Sequence, residues 1–282
     1  MRFATVLADG RASVVVVRDG RYLSLSMPGH DLGSVRAIAA SGADGLRRIR
    51  DWVARQPESS YRSLRAVVLG PVVPEPGAIY TIGLNYARPG ELADDRPLRP
   101  LVYAKLPTAV TGPDRTVSWD RSLTQQVDPE CELGVVIGEA AVNVAPEDAM
   151  RHVFGYTCIN DISSRDPWLD GDQWLLGKSL AGFCPVGPWV VTQDEVAPEA
   201  LRLGCTINGV AIQDGSTAQM RFSIAELISY LSRHMTLRPG DLIATGTPAR
   251  LEGPMGPDRH LQAGDVVTVW IEHIGELTTT IA

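Results

Sequence analysis

Two carboxylates, Glu130 and Glu132, stand inside the apolar run Val127-Asp128-Pro129-Glu130-Cys131-Glu132-Leu133-Gly134-Val135-Val136-Ile137-Gly138. Its Val and Ile content reads as a β-strand. Successive strand side chains alternate faces, so residues two apart share one. The run thus commits the chain to a strand that seeks burial while carrying two acids side by side. Two like charges on one buried face are costly unless a cation lies between them. Oxygen ligands select Mg²⁺, Mn²⁺ or Ca²⁺. Taken alone, the pair fits a half-exposed strand with two solvated acids equally well.

Around this strand, Gly and Pro divide the chain into short segments. Residues 2–7, 13–18 and 21–25 read as a β-meander, with Asp9-Gly10 and Asp19-Gly20 as turns. A helix is expected from Asp44, with Leu46, Ile49, Trp52 and Val53 as its apolar stripe and Pro57 beyond its end. Pro71, Pro74, Pro76 and Gly77 mark a stiff connection. The boundary expected there separates a small N-terminal domain, residues 1–72 (β-meander plus helix), from a larger domain, residues 73–282. Beyond it short β segments dominate, with two helices. One starts at Pro146 and has Val153 and Phe154 near its end. The other has Ser223 and Glu226 at capping-box spacing, ahead of Leu227, Ile228, Leu231 and Met235, and stops at Pro239-Gly240. Gly240-Asp241 and Gly264-Asp265 each open a strand. The fold class is mainly β with α, an α+β arrangement.

The balance of 26 basic and 33 acidic residues, a net charge of -7, argues against nucleic acid or an anionic membrane as main partner. No apolar run is long enough for a transmembrane helix. Asp9-Gly10 interrupts the N-terminus too early for a signal peptide. Cys131, Cys158, Cys184 and Cys205 show neither a zinc spacing nor a disulfide framework. A cytoplasmic protein with reduced, buried thiols is expected.

A metal reading of the Glu pair needs a third ligand. Asp161, where the strand-like run from Gly155 ends in a polar cluster, is the candidate, and a turn aspartate is its plain alternative. Gly177-Lys178-Ser179 fails as a phosphate loop, because the required earlier glycine is Asp172. Lys178 in its apolar setting is a candidate oxyanion stabiliser or an ordinary surface lysine. Thr245-Gly246-Thr247-Pro248 at a strand end is a candidate oxygen-binding loop or an ordinary turn.

The order of these motifs resembles the fumarylacetoacetate hydrolase superfamily over roughly residues 75 to 282. The resemblance rests on Ile82-Gly83-Leu84-Asn85-Tyr86, Tyr103-Ala104-Lys105-Leu106-Pro107, the Glu130 to Gly138 strand, Gly155-Tyr156 and Asn160-Asp161. Ser164-Arg165-Asp166, Gly177-Lys178-Ser179, Asn208-Gly209, Gly240-Asp241 and Thr245-Gly246-Thr247-Pro248 complete it. It implies a mixed β-roll or β-barrel catalytic domain behind a small N-terminal α+β domain, as a homodimer. It also implies Glu130, Glu132 and Asp161 as ligands of Mg²⁺ or Mn²⁺, with Ca²⁺ the third candidate. A small 2-oxo or 1,3-dicarbonyl acid would be the substrate. Arg165 and Thr247 would face it, joined by Tyr86 and Trp168 as further candidate substrate contacts, and Lys178 would steady an enolate.

Two positions depart from the family pattern. Its hydrolases place a water-activating His four residues after the motif Asn and a Glu three residues further on. Here those positions are Pro89 and Leu92. Proline exchanges no proton, so the water step is not available in its usual form. Glu91, one residue out of register, is the candidate substitute base, ahead of Asp94 and Asp95. None of His30, His152, His234, His260 and His273 lies in this segment. Some members also place Gln three residues after the Arg, where this chain has Trp168. The expectation is enolate chemistry without an activated water: tautomerisation, isomerisation or decarboxylation. Acylpyruvate-type C–C hydrolysis with Glu91 as base is the alternative. A non-catalytic protein that binds metal and an oxo acid, or a specialised enzyme of secondary metabolism, are further readings.

Overall fold

The computed structural model describes residues 1–8, 11–27, 32–88, 90–91, 95–166, 173–253, 255–256 and 259–282. Strands Cys131–Ile137 and Val153–Asn160 are buried along their whole length. A strand covered on both faces needs no polar alternation, which is why both read as nearly continuous apolar runs. They pair antiparallel at the centre of a 12-stranded sheet. On one side of them follow Leu242–Ala244, Ile79–Gly83 and Leu101–Lys105. On the other follow Cys184–Thr192, Arg2–Ala8, Arg11–Arg18, Arg21–Ser24 and Arg62–Ser63. Leu242–Ala244 and Ile79–Gly83 run parallel, so the sheet is mixed.

The two faces of this sheet carry different covers. Val136, Phe154 and Ile159 pack with Val35, Ile38 and Ile49 of the helices Val35–Ala40 and Gly42–Ala54. Leu133, Val135 and Ile137 pack instead with Cys205, Val267 and Leu277 of a separate 5-stranded sheet, and with helix Ile224–His234. That helix has the capping box in both directions between Ser223 and Glu226. Among the described residues, no helix is long and apolar enough to cross a membrane.

The meander is present as Arg2–Ala8, Arg11–Arg18 and Arg21–Ser24. It joins the large sheet directly, with Arg2 opposite Val191 and Phe3 opposite Val190. Residues from both sides of the expected 72/73 boundary therefore share one sheet. Two local expectations need correction. The helix at Pro146 ends at Ala149, and Val153 and Phe154 begin a strand, so their apolar spacing served the strand. The helix Val35–Ala40, capped by Ser34, lay in a stretch where no helix was expected.

Candidate metal centre

The strand register brings the three acids together. Cys131 lies opposite Asn160, and the Asp161 N–H donates to the Glu130 carbonyl at 2.9 Å. Side chains directly opposite in an antiparallel pair share a face. Glu130, Glu132 and Asp161 thus project on one side, the face on which Val136 meets the helices. One carboxylate oxygen from each lies within 4.8 Å of the others. Glu132 and Asp161 are buried and Glu130 is half-buried. Glu130 precedes the strand proper but keeps its alternation.

Three cations close on this cluster. Lys178, at the end of helix Trp174–Lys178, donates to Asp161 Oδ2 at 2.5 Å, to Ser163 Oγ at 2.8 Å and to Glu130 Oε2 at 3.2 Å. Arg165 donates to Glu130 Oε1 and, at 3.4 Å, to Asp128 Oδ2. Asp128 also accepts from His260 Nδ1 at 2.8 Å. The third cation was not foreseen as a site residue. Lys105 donates to Asp161 Oδ1 at 2.5 Å and to the Ile162 carbonyl at 2.9 Å. A compositional signal pointed to it. Lys105 and Lys178 are the only lysines in the chain, every other cation being arginine. An ammonium is a compact point charge that fits where a planar guanidinium fork does not.

Burial and charge pull the two glutamates apart. Burial pushes the Glu130 carboxyl up, but Lys178 and Arg165 outweigh it and hold it at about 2. Burial, reinforced by the charges of Asp161 and Glu130, raises Glu132 well above the usual carboxylate range. Burial disfavours the Lys178 ammonium, yet Asp161, Glu130 and Glu132 overcome this and raise its value above that of a free lysine. Lys178 is therefore a fixed positive charge at neutral pH and no proton acceptor. Glu130 raises Arg165 in the same way.

The cluster lies in a cavity of about 180 Å³. Arg165, Lys178 and Thr247 line it with the three acids, and the remaining wall includes Thr81, Leu84, Leu101, Tyr103 and Trp174. Gly246 is required in the loop beside it. Its φ is +95°, and a Cβ there would lie 2.8 Å from the Asn85 side chain. Its N–H donates to Glu132 Oε2 at 2.7 Å. The Thr247 hydroxyl donates to the Cys131 carbonyl at 2.8 Å and accepts from Gln213 at 2.7 Å.

Tyr86 and Glu91 stand apart from this wall. Tyr86 is buried in the main core. Glu91 pairs with Arg221 and accepts from the Arg88 N–H at 2.7 Å. Asp95 is exposed. Pro89, Leu92, Asp94 and Trp168 lie outside the described residues.

These residues fit a divalent cation. The donors are all carboxylate oxygens, the set preferred by Mg²⁺ and Mn²⁺. Among the described residues, the ion pairs of the cluster run to Glu130 and Asp161, leaving Glu132 with a backbone N–H. A buried carboxylate in that position gains most from a metal ion.

A family model described as fumarylacetoacetate (FAA) hydrolase C-terminal matches residues 78–282. An uncharacterized protein of Staphylococcus aureus is 41% identical over 215 residues, 76% of this chain and 71% of that protein. Among solved structures, a fumarylacetoacetate hydrolase from psychrophilic Exiguobacterium antarcticum matches with a TM-score of 0.86 and 33% identity, covering 100% of this chain and 99% of that one. Maleylpyruvate hydrolase from Sphingobium sp. SYK-6, solved with manganese(II) and pyruvate, matches with a TM-score of 0.81 and 27% identity, covering 100% and 99%. Structural neighbours include isomerases as well as hydrolases.

Proposed function

The chain belongs to the fumarylacetoacetate hydrolase family, and from that footing we propose a divalent-metal-dependent enzyme acting on a small 2-oxo or 1,3-dicarbonyl acid. We assign it enolate-forming chemistry without an activated water: tautomerisation, isomerisation or decarboxylation. Glu130, Glu132 and Asp161 would hold Mg²⁺ or Mn²⁺. Such an ion, when bound, polarises a carbonyl oxygen and leaves the site with a surplus of positive charge suited to an anion that gains charge as it reacts. Lys178 would set a fixed ammonium next to that site and stabilise negative charge developing there. Arg165, anchored by Glu130 and Asp128, orients the substrate carboxylate. Leu84, Leu101, Tyr103 and Trp174 give the rest of the cavity a largely apolar lining. The proposal includes a homodimer, a cytoplasmic setting and residues 1–72 as a small N-terminal domain.

The observation that carries this reading is the acid–cation cluster facing a cavity in which, among the described lining residues, there is no histidine. Pro89 stands where the family's hydrolases have theirs. Likeness to hydrolases supports a second reading, acylpyruvate-type C–C hydrolysis with Glu91 as base. Glu91 would first have to leave Arg221.

Purified protein with Mn²⁺ or Mg²⁺ is to be offered a 2-hydroxy-2,4-dienoate, a β-keto acid and an acylpyruvate. The proposal expects metal-dependent turnover of the first or second, with slow pyruvate release from the third. Rapid pyruvate release that survives Glu91→Gln but is lost in Asp161→Ala would overturn the exclusion of hydrolysis.

A further inference from the structure

The acids and their cations make up part of the cavity wall, and the remaining lining has a different chemistry. The Tyr103 and Trp174 rings stack, with centroids 4.7 Å apart and planes inclined by 29°. Leu101 and Leu84 continue this surface. Gly83 leaves room for it, because a Cβ there would come within 2.8 Å of the Tyr103 ring. Leu84 is 69% exposed and has φ +55°, a conformation that a branched side chain rarely adopts. It is held so by Asn85, whose side chain donates to the Thr245 carbonyl at 2.7 Å and accepts from the Phe222 N–H at 2.9 Å. An apolar residue held at positive φ in a cavity wall points toward a functional surface.

The charges point the same way. Every lysine and arginine of the chain lies among the described residues. Of these, Arg165 and Lys178 line the cavity, and both are committed to the acid cluster. A second substrate carboxylate, placed beyond the cluster, would meet rings and leucines with no cation to offset its desolvation. Thr81 also lines the cavity. It lies opposite Tyr103 in the sheet, and its buried hydroxyl has no hydrogen-bond partner. A neutral hydroxyl there suits a neutral oxygen of the ligand.

We propose that the site selects 2-oxo acids whose far end is an apolar, planar group, seated on Tyr103, Trp174, Leu101 and Leu84, and rejects those whose far end is a second carboxylate. This rests on the function proposed above and names its substrate class.

The test measures binding of unreactive mimics to the full chain with Mn²⁺, by calorimetry and by Trp fluorescence. The probes are oxamate, N-phenyloxamate and an N-carboxyalkyl oxamate. N-phenyloxamate is expected to bind about tenfold or more tightly than oxamate, the scale of a buried aromatic contact. The carboxyalkyl compound is expected to bind no tighter than oxamate. Trp174→Ala should shrink the phenyl preference to about threefold or less, and Leu101→Arg should raise affinity for the carboxyalkyl compound. Tighter binding of the carboxyalkyl compound to the wild type would overturn the inference, as would a phenyl preference untouched by both variants. Equal binding of all three would overturn it and leave the proposed function standing. Failure of all three to bind with Mn²⁺ would overturn both.

Discussion

Lys105 Nζ lies 2.5 Å from Asp161 Oδ1, with the lysine side chain 0% and the aspartate side chain 1% exposed. Lys178 takes the other oxygen of the same carboxylate. Breaking a buried pair outright costs about 3–5 kcal/mol, and Asp161 keeps Lys178 when Lys105 is removed, so a cost at or below the low end of that range is expected. Lys105→Met should lower the stability of the metal-free protein on that scale in chemical denaturation. Because Lys105 and a cation compete for Asp161, the stabilisation by added Mn²⁺ should be larger in the variant than in the wild type.

The two glutamates respond to pH in opposite senses. Glu130, held at about 2, stabilises the fold above the ordinary carboxylate range, and that stability is lost as pH falls through its depressed value. Glu132 is raised, so its contribution is complete below the ordinary range and is lost as pH rises through its folded value. A metal ion requires Glu132 ionised and must displace the proton. Mn²⁺ affinity should therefore rise with pH. Calorimetry in buffers of different ionisation enthalpy should show proton release in the window below the raised value. Release should vanish in Glu132→Gln.

Gly246 links the loop to the cluster through its N–H to Glu132. Gly246→Ala would place a methyl group 2.8 Å from Asn85 and 2.9 Å from the Ile82 carbonyl, in a backbone conformation that suits glycine. A cost of about 1–3 kcal/mol in denaturation is expected, the range for a residue held in a disfavoured conformation. Mn²⁺ affinity should fall with it, since the donor to Glu132 moves.

The capping box at Ser223 is a control remote from the acids. Ser223→Ala removes the side-chain acceptor for the Glu226 N–H and should cost about 1 kcal/mol. Mn²⁺ affinity should stay at the wild-type value.

The shared face of Glu130 and Glu132 is legible from strand alternation, and Ser223 with Glu226 from capping, because both signals are local. Asp161, Lys178, Arg165 and Thr247 became legible through the order of short motifs, and the cavity brings all four to the Glu pair. Lys105 lay inside a recognised motif without a role; the scarcity of lysine was a signal that local patterns do not register. Tyr86 follows the motif Asn85 and Glu91 lies one residue out of register with the family's Glu position, and the fold carries them to the core and to Arg221. The pairing of Arg2 with Val191 spans most of the chain and has no local signature.

Glu130, Glu132 and Asp161 are proposed to hold one divalent ion. Calorimetric titration of the full chain with Mn²⁺ tests it most directly, beside Asp161→Asn. One ion bound per chain is expected for the wild type, and none for Asp161→Asn at the same concentrations. A wild type that takes up no Mn²⁺, or a variant that binds it as well as the wild type does, would contradict it.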